Sequence, residues 1–270
     1  MNRNIILWIL SLLITLIAAY YQRKTGPTVP KKIKMTISDN QEEYKFLRTY
    51  ESDKDCPVIL VTKSHINGAK IWYKKYPGND EWKEIAMQKS GDTLKEYLPK
   101  QPPAGKLAYY IELNVDNKKH YICKDEPVII RYKGAVPSWA LIPHIIFMFL
   151  AMLFSNYTGL KALIVKKKTK IFILLTLAFL LIGGFIFGPL VQKYAFGVYW
   201  SGFPFGWDLT DNKTLISLIF WIFALITNLK KDKPYSIIIA MIMTIIIFSI
   251  PHSMFGSQLD YSTGLVTHGN

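Results

Sequence analysis

The chain has 270 residues, half of them hydrophobic and only 19% charged, yet its formal net charge is +14. Residues 22–137 hold 22 basic and 15 acidic side chains, while the other 154 residues hold 11 and 4. That split excludes an ordinary soluble enzyme, a disordered chain and a disulfide-dense mini-domain. It also excludes nucleic acid as the expected partner, because membrane topology explains the positive charge better.

A helix needs roughly 20 apolar residues to cross the hydrocarbon layer of a bilayer. Five stretches come close: residues 5–21, 139–157, 171–191, 212–229 and 235–251. The first follows Arg3 and ends in Tyr20 and Tyr21, and Ile17 spoils a small-x-small cleavage pattern, so residues 1–22 read as a retained signal-anchor. Apart from His144 the spans are read as lacking titratable residues, which argues against an ion or solute transporter. Gly183, Gly184 and Gly188 in the third span read as points of close helix packing.

Direction follows from the short basic loops. Lys161, Lys166, Lys167, Lys168 and Lys170 follow the second span, and Lys230, Lys231 and Lys233 follow the fourth. Lys-rich short loops stay cytoplasmic. The expectation is therefore a multi-pass protein of the plasma or inner membrane with a cytoplasmic amino terminus. Segment 23–137, the aromatic loop 192–211 and the tail 253–270 are placed outside, and 138–252 forms a four-helix transmembrane bundle.

Within 23–137 the hydrophobic period changes to two, the mark of half-buried strands. Strands are predicted at 33–37, 58–63, 69–76, 82–88, 107–115, 120–123 and 128–132, separated by turns such as Asn67-Gly68, Ser90-Gly91-Asp92 and Asp116-Asn117. Seven short strands in about 100 residues point to a two-sheet β-sandwich. The residues Ile71-Trp72-Tyr73, Trp82, Met87, Tyr97-Leu98-Pro99, Ala104-Gly105-Lys106 and Tyr109-Tyr110-Ile111 then carry a resemblance. Over 56–133 the chain resembles bacterial immunoglobulin-like or fibronectin type III-like domains. The resemblance implies that Tyr109 and Ile111 face one way and Tyr110 and Glu112 the other. It also implies a tendency toward binding and spacing roles. The fold class expected is thus a five-helix membrane protein with an inserted all-β, immunoglobulin-like sandwich. Cys56 and Cys123 are its only cysteines. They read either as a disulfide closing a loop of about 67 residues, worth about 4 kcal/mol, or as two buried free thiols.

The candidate ligand-binding residues gather on the outer side: His144, Trp200, Asp208, Asp211, His252 and Asp260. A structural reading accounts for most of them, with aromatics at the membrane interface and Asp208 or Asp211 capping the fourth span. Three chemistries could use the group instead. His144 and His252 could ligate a haem b iron, or with Asp208 a divalent metal. An aromatic-lined His–Asp pair could bind a quinone. The function expected is a binding or assembly component of an envelope complex, contacting the lipid bilayer and a protein partner, without catalysis. The alternative is a redox or ligand-binding membrane subunit with its site at His144, His252 and Asp208.

Overall fold

The structure is a computed structural model describing residues 3–37, 40–62, 66–166, 168–251 and 256–267. Lys63, Lys167 and His252, which figure in the expectations above, lie outside the described residues. The chain divides into a helical unit, Met1–Pro27 with Val136–Ser257, and a β unit, Thr28–Ala135 with Gln258–Thr267.

The helical unit runs through α1 (Arg3–Thr25), α2 (Ser138–Ile164) and α3 (Lys170–Leu180). A π-helical turn (Leu181–Phe187) carries α3 into α4 (Gly188–Phe196), and α5 (Leu209–Thr227) and α6 (Pro234–Ser249) follow. Four stretches, Arg3–Thr25, Ser138–Ile164, Lys170–Phe196 and Leu209–Thr227, are long and apolar enough to cross a membrane. Pro234–Ser249 is equally apolar but shorter.

The helices are inside out by the standards of a water-soluble bundle. On α1 the buried positions are Leu7, Ser11, Thr15 and Ala18, while Leu13 and Ile17 are exposed. Small and hydroxyl-bearing residues line the helix contacts, the pattern compatible with helices whose apolar side chains face lipid. Asn156 on α2 donates to Thr15 Oγ1 at 2.9 Å, and the Trp8 ring stacks on Tyr157 at 3.9 Å between centroids. Between α5 and α6, fully buried Trp221 donates its indole N–H to Thr244 Oγ1 at 2.9 Å. Two of the three glycines pack closely, since a Cβ on Gly183 would lie 2.9 Å from the backbone N of Met148 and one on Gly184 would strike the Thr214 methyl, whereas one on Gly188 would meet nothing nearer than 3.5 Å.

The β unit begins with β1 (Lys31–Ile37), β2 (Asn40–Phe46), β3 (Thr49–Glu51) and β4 (Cys56–Val61). Next come β5 (Gly68–Lys75), β6 (Lys83–Ala86), β7 (Gln88–Ser90) and β8 (Thr93–Leu98). Then follow β9 (Lys106–Val115), β10 (Lys118–Ile122) and β11 (Val128–Lys133). One sheet has the order β3-β11-β9-β5-β6, with β10 on β9, and another has β4-β8-β7. All pairings are antiparallel except β3 with β11. The hairpin β1–β2 adds Tyr44 and Phe46 to the same core.

That core joins Leu60 and Leu94 from one sheet to Ile71, Tyr109, Ile111 and Tyr132 from the other. Alternation along the strands puts them there: Tyr109 and Ile111 point into the core, and Tyr110 and Glu112 stand outside it. Two strands absent from the sequence reading are polar ones. In β2 only Glu42, Tyr44 and Phe46 turn inward, and Glu42 is tied to Thr62 Oγ1 at 3.0 Å, so its charge hides the alternation. In β8 the inward pair Leu94 and Leu98 is separated by Lys95, Glu96 and Tyr97. The predicted strand 82–88 divides instead, with β6 in the larger sheet and β7 in the smaller.

The tail returns to the β unit as a short hairpin, β12 (Gln258–Leu259) with β13 (Val266–Thr267). Leu259 N donates to Ala104 O at 3.1 Å. The Tyr261 hydroxyl accepts from Lys106 N at 3.0 Å and lies 2.9 Å from Lys106 O. Lys106 Nζ reaches Gln258 Oε1 at 2.8 Å. Gly105 makes this approach feasible, since a Cβ there would stand 3.0 Å from the Tyr261 oxygen and 2.8 Å from Pro102 O.

Candidate functional site

The loop between α4 and α5 has a neck made of polar contacts. Asp208 is the N-cap of α5, with its side chain accepting from Thr210 N at 2.8 Å and its backbone N–H bonding Ser201 O at 3.0 Å. Asp211, one turn on, accepts from Ser201 N at 2.6 Å. The other Asp208 oxygen takes both the N–H and the hydroxyl of Ser257, at 2.9 and 3.1 Å. Gln192 from α4 donates to Ser201 Oγ at 2.6 Å. Asn212 accepts from Phe203 N at 2.8 Å. Gly202 lies so close to α5 that a Cβ would stand 2.7 Å from that of Asp211. Chain termini of helices leave free N–H groups, and this neck uses two adjacent carboxylates to satisfy them together with the loop's own.

Asp208, Asp211, Ser201 and Ser257 are all buried. Their oxygens face each other and backbone donors, so the arrangement fastens a loop rather than opening onto a ligand. What the loop shows to its surroundings is aromatic: Phe203, Phe205 and Trp207 are 59%, 76% and 72% exposed. Trp200 is turned the other way, its indole bonded to Phe203 O at 3.2 Å and its ring stacked on Phe185 at 5.4 Å.

Contrary to the expectation that His144 is the sole titratable residue of the spans, Lys213 lies on α5 within the stretch 212–229. It is 2% exposed, and its ammonium donates to the carbonyl oxygens of Ile250 and Pro251, the latter at 3.1 Å. These are the carbonyls left without helical partners at the end of α6, so the lysine acts as a C-terminal cap from a neighbouring helix. Gln22 adds a longer contact to Ile250 O at 3.4 Å. The signal that could have found it was plain: one cation within an otherwise uncharged run.

His144 sits on α2 with Nδ1 2.9 Å from Gly183 O. That carbonyl also accepts the Gly188 N–H at the end of the π-helical turn. A π turn shifts the hydrogen-bond register by one residue, and the imidazole bridges α2 to it. With His252 outside the described residues, a two-histidine centre is not drawn. Asp260 belongs to the β unit, where it accepts from Ser262 N and Oγ at 2.8 and 2.6 Å in a turn of the tail hairpin. Among the described residues no group of three His, Cys, Asp or Glu converges as metal ligands. Cys56 and Cys123 are both free thiols. Burial pushes the Cys56 thiol up to about 12 and raises that of Cys123 as well.

The β unit presents a second candidate surface. On the outer face of the larger sheet, Trp72 lies parallel to its cross-strand partner Tyr110, with centroids 6.1 Å apart. Trp82 meets Tyr110 edge-on at 4.8 Å, and Tyr121 meets it at 6.3 Å. Glu112 accepts from Trp72 Nε1 at 3.1 Å and pairs with Lys119 at 2.9 Å, and Lys70 pairs with Glu84. The Lys119 contact, foremost, holds the Glu112 carboxyl below its usual range. In the sequence Trp72 and Tyr110 mark strands and carry the immunoglobulin-like resemblance, but alternation alone does not show which side of a sheet is left uncovered. No family model matches the chain, and no curated protein or solved structure matches it either.

Proposed function

We propose that the chain is a five-span protein of the plasma or inner membrane that carries an immunoglobulin-like sandwich on the outer side. The sandwich serves as a binding or assembly component of an envelope complex and performs no catalysis. Three features support this. The strand order β3-β11-β9-β5-β6 opposite β4-β8-β7, with β3 parallel to β11, is the order of an immunoglobulin-like sandwich. The β unit includes both Thr28–Ala135 and Gln258–Thr267. A folded unit occupies one compartment, so the path from α2 to α6 crosses an even number of times, and the short α6 counts as a span. The lysine clusters assign that compartment to the outside.

The observation that carries the binding role is the contrast in access. The carboxylates of the loop neck are consumed internally, while the sheet face of Trp72, Trp82 and Tyr121 is built from side chains that suit recognition. The test immobilises the detergent-solubilised full chain and challenges it with solubilised envelope. Native protein is expected to retain a defined component that a Trp72→Ala/Trp82→Ala/Tyr121→Ala variant, folded by thermal melting, loses. Equal recovery by both removes the sandwich from this role. In cells with a permeabilised outer layer, added protease is expected to cut near Asp80 and spare Lys230 and Lys231; the opposite pattern overturns the sidedness.

A further inference from the structure

The binding reading above can be taken one step further, on which this inference rests. We infer that the outer face of the larger sheet binds a glycan strand bearing acidic groups. Four neighbouring strands place rings across the sheet: Trp82 just ahead of β6, Trp72 on β5, Tyr110 on β9 and Tyr121 on β10. With strands about 4.8 Å apart, the strip is on the order of 14 Å wide. Tyr110 is buried beneath the others and serves as their support, leaving Trp72, Trp82 and Tyr121 as the contact rings.

A strip of rings with charged neighbours fits a ligand that is apolar on its faces and polar around its edge. A pyranose has that character: its C–H face stacks on an aromatic ring, and its hydroxyls find the ion-paired Glu112, Glu84, Lys119 and Lys70 at the margin. Lipid tails would strip water from those ion pairs and offer no hydrogen bonds in return.

The sign of the ligand comes from two further lysines. Lys74 lies over the Trp82 ring at 5.3 Å and Lys124 over the Tyr121 ring at 3.9 Å. Among the described residues neither has a carboxylate partner, whereas Lys70, Lys119 and Lys31 each do. Lys74 also donates to Gly78 O at 3.3 Å, which leaves its ammonium further donors, so the strip carries at each end a cation over a ring that an anionic substituent can approach. Tyr121 also lines a cleft of about 540 Å³ together with Lys31, Ile33, Cys123, Lys124, Asp125 and Glu126. The Lys31–Glu126 pair and Asp125 leave that cleft without the cationic surplus of the strip, so it suits the hydroxyl-rich stretches between acidic groups.

The test measures binding of three probes to the detergent-solubilised full chain: a hexamer of galacturonic acid, cellohexaose and short polyglutamate. The acidic sugar is expected to bind, with the neutral sugar and the peptide each at least about tenfold weaker, a difference of the size that one well-placed contact supplies. Trp82→Ala and Tyr121→Ala should each weaken the acidic sugar by about tenfold, and Lys74→Ala/Lys124→Ala should flatten its salt dependence. Two ring variants are used so that one unstable protein does not decide the matter. Cellohexaose binding as tightly overturns the charge assignment, and polyglutamate binding as tightly overturns the glycan. Absence of saccharide binding, or variants that bind unchanged, overturns the inference as a whole. If envelope capture still depends on the same rings in that case, the binding role survives and only its ligand class falls.

Discussion

The helical and β units handle their polar groups in opposite ways. In the helical unit Ser11, Thr15, Asn156, Ser217, Thr244, Asp208, Asp211 and Lys213 are buried, and Ile5, Ile17, Ile146 and Phe223 are exposed. In the β unit the core is apolar apart from such inward groups as Glu42 with Thr62, and the ion pairs Lys70–Glu84, Lys32–Glu43 and Lys54–Glu51 stand at the surface. The same side-chain types change places, a pattern compatible with an apolar surrounding for one unit and water for the other. A surface ion pair in water is worth about 0–1 kcal/mol, whereas a polar group enclosed among apolar helices must find a partner or cost several kcal/mol.

If that contrast is sound, the largest effect comes from the loop neck. Asp211→Ala leaves the Ser201 N–H buried without its acceptor, and is expected to destabilise the full chain by about 2–4 kcal/mol. Thermal unfolding in detergent measures it, and a loss below that of a surface Glu84→Ala control would show that the neck is solvated and the contrast mistaken.

A smaller loss sharpens the same comparison through packing. A methyl on Gly184 would strike Thr214 where the π turn meets α5. Gly184→Ala is expected to cost about 1–3 kcal/mol, while Gly68→Ala, whose added carbon meets nothing within 4 Å in the β unit, should be nearly silent. Equal melting temperatures for the pair would mean that the helices relax freely around the added carbon.

The smallest effect is one of pH, in the β unit. Burial, reinforced by nearby Arg131, lowers the Lys106 ammonium to about 8 from 10.5. The unfolded chain therefore binds more protons between these values, and the buried charge costs stability below pH 8. That cost is relieved as pH rises from about 8 toward 10.5, so stability rises through the window. Cys56 and Tyr261, both raised to about 12, act in the other direction at the upper end. The informative quantity is thus the difference between native protein and Lys106→Met. It should move in favour of the native chain across the window by about 1 kcal/mol or less, since the group is partly exposed and screened by solvent. A flat difference would indicate that Lys106 is fully hydrated.

Much of the architecture was legible from period and charge. Apolar runs located the helices, and a hydrophobic period near two located β5, β9 and β11, although β9 is buried on both faces. What escaped had physical reasons. Glu42 turns inward and disguises β2, and Lys213 is a single cation among eighteen mostly apolar residues. The π turn leaves no mark except the glycine pair that tolerates it. Among the site residues, the sequence located Asp208 and Asp211 at the start of α5, where the structural reading made them caps. It could not show that Ser201 and Ser257, distant along the chain, would use up their oxygens. The aromatic strip on the sheet was also illegible, since it depends on which strands become neighbours.

The docking of residues 258–267 beside Gly105 bears on how the protein is made. These residues leave the ribosome after every helix has been synthesised, whereas the strands they cover are translated near the beginning. The Ala104 carbonyl and the Lys106 N–H therefore wait, hydrated, until the tail follows α6 out of the ribosome. Completion of this corner then reports that synthesis of the helices has finished, and a chain stalled before its last helix would carry an unsealed corner that quality-control proteases could recognise.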